Sequence, residues 1–232
     1  PRPAEEVFRV TVGDLMGSPQ LPQHPLAADP RVRSASQGSF EIRVRKSGAS
    51  AEVVVIGTDA AGAMYGLLDV AEKIDDQGTA DAPHRAIRDG VHQPFLSVRG
   101  AQVLIRRHAL LDPWSWFYSE EFWQGFLDRL ARARFNLLDL HGVYDIVTTR
   151  TYNILPYFTF VPSFPDVGLG ELQAEQNALM LERIAELARR RGIRVFVVSY
   201  QASWSIPDRP APTKEETEQN LGEYTTLAWE QL

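Results

Sequence analysis

Three groups of side chains in this sequence are of types that do chemistry. Arg99 carries five N–H donors in a fixed fork, a shape that grips vicinal hydroxyls or a carboxylate. The same arginine would serve structurally by pairing with an acid at the base of a barrel. Arg106, Arg107 and His108 form a short cationic run that suits an acidic sugar such as a uronic acid, and equally a solvated face. Trp114, Trp116, Phe117 and Tyr118 sit together, and Tyr144, Tyr152, Tyr157, Phe158 and Phe160 make a second aromatic group. Aromatic rings are platforms for the flat C–H faces of sugars, and they also bury large areas when a loop folds onto helices. Trp204 follows an apolar run and raises the same question.

Asp139, His141 and Asp145 complete the set. As metal ligands His141 and Asp145 lack a third and fourth partner at suitable spacing, so no metal is expected. Hydrolysis of a glycosidic bond needs a proton donor and a nucleophile or base, generally two carboxylates. Nothing in the spacing places Asp139 and Asp145 across a scissile bond. Gly57, Gly62 and Gly66 lack the G-x-G-x-x-G spacing of a nucleotide loop, and no cofactor is expected. His24, His84 and His92 lie in loop-like stretches and suggest no chemistry.

The 232 residues contain no cysteine, which removes disulfide scaffolds, thiolate metal sites and cysteine nucleophiles together. A net charge of −6 argues against nucleic acid as the partner, because phosphate binding needs a basic face. No stretch approaches the ~20 apolar residues of a membrane span. The opening PRPAEEVFRV has neither Met nor leader, as if a signal peptide were removed or the chain began inside a longer protein. A secreted or periplasmic location is favoured over a cytoplasmic one, and the oligomeric state is left open.

The elements that must position these residues follow from hydrophobic period. VFRVTV, FEIRVR and AEVVVIG alternate as half-buried strands do. Met64, Leu67, Leu68, Ala71 and Ile74 then fall on one helical face, with Thr58 or Asp59 as cap. Residues 1–95 thus read as a small α/β sandwich domain, with a surface loop from Gly17 to Ser39. From residue 96 to 232 the order is βαβαβα. The strands are LSVRGAQVLI, FNLLDLH and IRVFVVSY, the last expected to be buried on both faces. Ser119 caps the first helix and Gly192 stops the second, with a long aromatic loop over 141–170 between them. Thr213 and Glu216 form a capping box for the third helix. Short helix-to-strand joins and long strand-to-helix loops suit a barrel with its chemistry at the strand C-termini, and a doubly wound sheet is the alternative.

RGAQVLIRRH (99–108), LARARFNLLDLH (130–141) and ARRRGIRVFVVSY (188–200) resemble the first three barrel strands of glycoside hydrolase family 20, the β-N-acetylhexosaminidases. TDAAGAMYGLLDVAEKI (58–74) resembles the last helix of the small domain preceding such barrels, which the α-glucuronidases of family 67 share. The resemblance implies the first three β/α units of a (β/α)8 TIM barrel and a carbohydrate substrate, an amino sugar or a uronic acid-containing glycan. It implies substrate contacts at Arg99 and His141, with Asp145 and Trp204 lining the same cleft. Leu104 stands where that family has Asp, and YQASW (200–204) replaces its Asp-x-Pro-Gly-His. The catalytic acids are expected beyond Leu232, so this fragment alone is expected to be inactive. The competing expectation is a non-catalytic carbohydrate-binding or interaction protein with the same architecture.

Overall fold

The computed structural model describes residues 8–15, 35–47, 50–77, 86–199 and 214–232. The chain divides into two compact units, Pro1–Val98 and Arg99–Leu232. Both are mixed α/β, each built on its own sheet.

In the first unit the strands β1 (Phe8–Asp14), β2 (Phe40–Ser47), β3 (Ser50–Gly57) and β4 (Gly90–His92) lie in the order β1-β3-β2-β4. β1 runs parallel to β3, and β2 runs antiparallel to β3 and β4. Helix α1 (Ala60–Gln77) follows β3, and the Asp59 carboxylate caps it by accepting the Gly62 N–H at 2.7 Å. Phe40, Ile42, Val53 and Val55 share one side of the sheet and pack with Tyr65 and Val70. The helical face differs from the one periodicity predicts. Leu67 is 39% exposed and Ala71 is also exposed, while Gly62, Gly66 and Val70 are buried. A Cβ on Gly66 would lie 2.4 Å from Val55 Cγ1, so glycine lets the helix sit closer to the sheet than a side chain would.

The second unit begins with β5 (Gly100–Arg106), two 3-10 turns (Arg107–Leu110 and Trp116–Tyr118) and helix α2 (Glu120–Arg132). Strands β6 (Leu137–Asp145) and β7 (Arg150–Tyr152) follow, then the short α3 (Leu155–Phe158), α4 (Glu171–Arg189), β8 (Arg194–Val198) and α5 (Lys214–Gln231). β6 is central, with β5 and β8 parallel to it on either side and β7 folded back on its C-terminal part. Ser119 Oγ accepts the Phe122 N–H at 3.1 Å, and Glu120 and Glu121 fill the first turn of α2. After α4 the chain turns away at Gly192 (φ +66°), and the Ile193 N–H reaches back to the Ala188 carbonyl at 3.0 Å. Ile105, Leu138, Leu140 and Val143 are fully buried in the sheet, as are Trp123 and Leu127 of α2 and Ile184 of α4.

Two expectations change here. The stretch after His141 is not one long loop, because β6 continues to Asp145 and turns into β7. β8 is not buried on both faces: Phe196 is 51% exposed. Among the described residues β8 pairs along one edge only, and a cavity of about 520 Å³ lies beside it, lined by Leu181, Ala185, Val195, Val197 and Trp229. Thr213 of the capping box lies outside the described residues.

Candidate functional site

The two sides of the second sheet have opposite characters. Gln102, Leu104 and Arg106 of β5 alternate with the more buried Ala101, Val103 and Ile105, and all three are exposed. Gln102 is opposite Asp139, Asp139 is opposite Phe196, and His141 is opposite Val198, so these residues share the open side. On that side Gln102 Nε2 donates to Asp139 Oδ2 at 3.2 Å, and His141 Nδ1 meets the same oxygen at 3.1 Å. A carboxylate only accepts, so Nδ1 carries the proton and the imidazole is held in one orientation. This is a carboxylate–imidazole dyad near the C-terminal end of a parallel sheet.

A bulge decides what lies above it. Val103 is opposite Leu140 but Ile105 is opposite Val143, so β6 has one extra residue at Gly142, which adopts φ +59°. A one-residue insertion exchanges the two faces of everything after it. Val143 and Asp145 therefore join Leu138 and Leu140 among the buried residues, and Tyr144 joins His141. Arg106 is Tyr144's partner across the strands, so the open side ends in Arg106, His141 and Tyr144.

Asp145 is on the other side, 4% exposed. Its Oδ1 accepts the Val147 N–H at 2.8 Å and its Oδ2 lies 3.9 Å from Arg107 Nη1. Tyr157 is fully buried, and desolvation pushes its phenol well above the usual tyrosine range, with the nearby Arg107 cation pulling it back. The structure thus brings Asp145 to Arg107 rather than to His141. Arg99 stands elsewhere again. It precedes β5, level with Asn136, five residues or roughly 16 Å below the His141 row at the usual strand rise. There its Nε donates to the Arg134 carbonyl at 2.5 Å and its backbone N–H to Asn136 Oδ1 at 2.8 Å. Trp204 lies outside the described residues.

The loops at the C-terminal end are tied down by buried polar groups. Tyr118 Oη donates to the Leu110 carbonyl at 2.9 Å, and Gln173 Nε2 donates both to that carbonyl and to Tyr118 Oη. Asn177 Nδ2 donates to the Tyr157 carbonyl at 2.7 Å. Asn153 Oδ1 accepts Ser199 Oγ at 2.6 Å, fastening the end of β8 to the segment after β7. Of the first aromatic group, Trp116, Phe117 and Tyr118 form a chain of ring contacts with Phe122 and Trp123, whereas Trp114 is 92% exposed. Among the described residues no group of three His, Asp or Glu side chains is arranged to hold a metal, and no helix is long and apolar enough to cross a membrane.

Sequence reasoning passed over Asp139 as the partner of His141, although i and i+2 on a strand share a face. It named Tyr144 only within the second aromatic group, and the bulge is what brings that residue to the side of His141.

The chain resembles a solved GH138 enzyme targeting pectin rhamnogalacturonan II, with a TM-score of 0.57 and 21% identity over 86% of this chain. The likeness is one of fold. The chain spans about a quarter of the length of that protein, 25%. No protein-family model matches the sequence, and no curated protein matches it. The solved structure belongs to family 138, not to family 20 or 67.

Proposed function

We propose that this chain supplies the small α/β domain and the first three β/α units of a (β/α)8 barrel in a glycoside hydrolase. Its substrate is a uronic acid-containing glycan, with an amino-sugar glycan as the alternative that the family-20 motifs suggest. The observation that carries the reading is the Asp139–His141 dyad, beside Arg106, at the C-terminal end of the open side of a parallel sheet. Barrel enzymes place their chemistry at that end. Parallel sheets are ordinarily covered on both faces, and the open side with its exposed Leu104 and Phe196 is the side a closed barrel encloses. Likeness to an enzyme that targets a pectin favours an acidic glycan, whose carboxylates suit Arg106.

On the described open side the one carboxylate is Asp139, already tied to His141 and Gln102. A hydrolase needs a proton donor and a second group, and we assign the catalytic acids to parts of the complete protein outside the described residues. His141 and Arg106 then bind substrate. The test is sugar release from rhamnogalacturonan II and from chitooligosaccharides by the complete protein that contains this chain. Release that falls at least tenfold in His141→Ala and Arg106→Ala supports the reading. Full activity in both variants refutes the site, and a complete protein that binds glycan without cleaving it establishes the non-catalytic alternative.

A further inference from the structure

We propose that Trp114 is a sugar-stacking platform, an outer subsite that takes one pyranose ring of a glycan lying across the C-terminal edge of β5. The inference rests on the glycan reading above and adds a subsite to it. Six rings from Trp116 to Phe126 are used up in contacts with one another, and Trp123 Nε1 is also committed, donating to the Phe117 carbonyl at 2.8 Å. Trp114 makes no such ring contact among the described residues and leaves 92% of its surface in water. A solvent-exposed indole is unfavourable to keep, and an exposed ring on a loose loop would collapse onto the neighbouring aromatic cluster.

The main chain at Trp114 is not loose. Asp112 Oδ1 accepts the Trp114 N–H at 3.0 Å, the Asp112 carbonyl accepts the Ser115 N–H at 3.0 Å, and Ser115 Oγ donates to the Ala109 carbonyl at 2.6 Å. Pro113 fixes φ immediately before it. The main chain that carries the ring is fixed in advance, so a ligand meets it without the cost of ordering the loop. The flanking side chains complete a subsite for a sugar. Asp112 and His108 are exposed polar groups in the same loop, able to serve ring hydroxyls while the C–H face lies on the indole. The loop springs from the same strand end as Arg106, so a chain held there extends over it.

The test is calorimetric titration of the complete protein that contains this chain with oligosaccharides cut from rhamnogalacturonan II, and with chitooligosaccharides, using Trp114→Ala, Trp114→Phe and Phe95→Ala. Phe95 is fully exposed in the other unit and controls for apolar adhesion. Aromatic stacking of about 1.4 kcal/mol corresponds to about tenfold in affinity. Trp114→Ala should weaken binding of oligosaccharides by about that factor and leave monosaccharide binding unchanged. Trp114→Phe should retain most of the affinity and Phe95→Ala all of it. Equal binding by Trp114→Ala and the parent overturns the platform and leaves the glycan reading standing. Equal losses in Trp114→Ala and Phe95→Ala also overturn it, as unspecific adhesion. A complete protein that binds neither glycan overturns the glycan reading, and the platform with it.

Discussion

Asp145 gives the sharpest test of the bulge at Gly142. If the bulge sends this carboxylate to the buried side, it is a structural group facing Arg107, and its removal should cost stability. The side chain of Asp145 is 5% exposed and that of Arg107 17% exposed, so neither charge is well served by water. Removing one member of a buried pair costs about 3–5 kcal/mol, and the 3.9 Å separation argues for the lower end. Loss of the Val147 N–H acceptor adds to it. The expected cost of Asp145→Ala is therefore about 3 kcal/mol. At a urea m-value of about 2 kcal/mol/M, the unfolding midpoint falls by about 1.5 M. Tryptophan fluorescence follows the right unit, since all five tryptophans lie between residues 99 and 232. Asp145→Leu combined with Arg107→Met should recover much of the loss, because an apolar pair needs no counter-charge. An exposed, cleft-lining carboxylate would behave differently. Its removal would move stability by less than about 0.5 kcal/mol, and that result would refute the assignment of Asp145 to the buried side.

Other consequences can be measured on the same chain. Gly66→Ala places a methyl against Val55 and should destabilise the first unit by about 1–3 kcal/mol, read from hydrogen exchange of the β3 amides. Ser119→Ala removes the cap of α2 and should cost about 1 kcal/mol in urea unfolding followed by tryptophan fluorescence. Tyr224, buried among Leu155, Val161 and Ala228, has its phenol pushed up by burial to about 12 from an ordinary 10.0. A raised folded-state value favours the protonated form, so this stability is complete below pH 10 and is lost as pH rises towards 12. Tyr224→Phe should flatten that part of the alkaline unfolding curve, and an unchanged curve would show that Tyr224 contributes nothing to it.

Much of the fold was legible because periodicity and caps agree with the packing. β1, β2 and β3, Ser119 before α2 and Gly192 after α4 all follow from local rules that tertiary structure did not override, whereas His92, expected in a loop, lies in β4 and pairs with Phe40. The failures have specific physical causes. The buried face of α1 is set by how closely Gly66 lets it approach Val55 of β3 and Gly62 the Ser39 carbonyl, and hydrophobicity alone does not register a glycine as a contact residue. β8 reads as a strand buried twice because Val195, Phe196, Val197 and Val198 are apolar in succession. Among the described residues, though, it has one edge neighbour.

The site was less legible than the fold for one reason. His141 and Asp145 are four residues apart, and a regular strand would place both on the same face. Gly142 breaks that parity. Its positive φ lets β6 carry an extra residue opposite β5, after which odd and even positions exchange sides. The exchange separates two tasks that spacing alone assigns to one cluster. Arg106, His141 and Tyr144 are left on the open side, where the proposed substrate site lies, while Arg107, Asp145 and Tyr157 form a set on the other side beside the β6–β7 turn. Adjacent arginines thus have opposite roles, because consecutive residues at a strand end face opposite ways. A residue's chemistry, even beside a recognised motif, does not place it until the register of the strand beneath it is known.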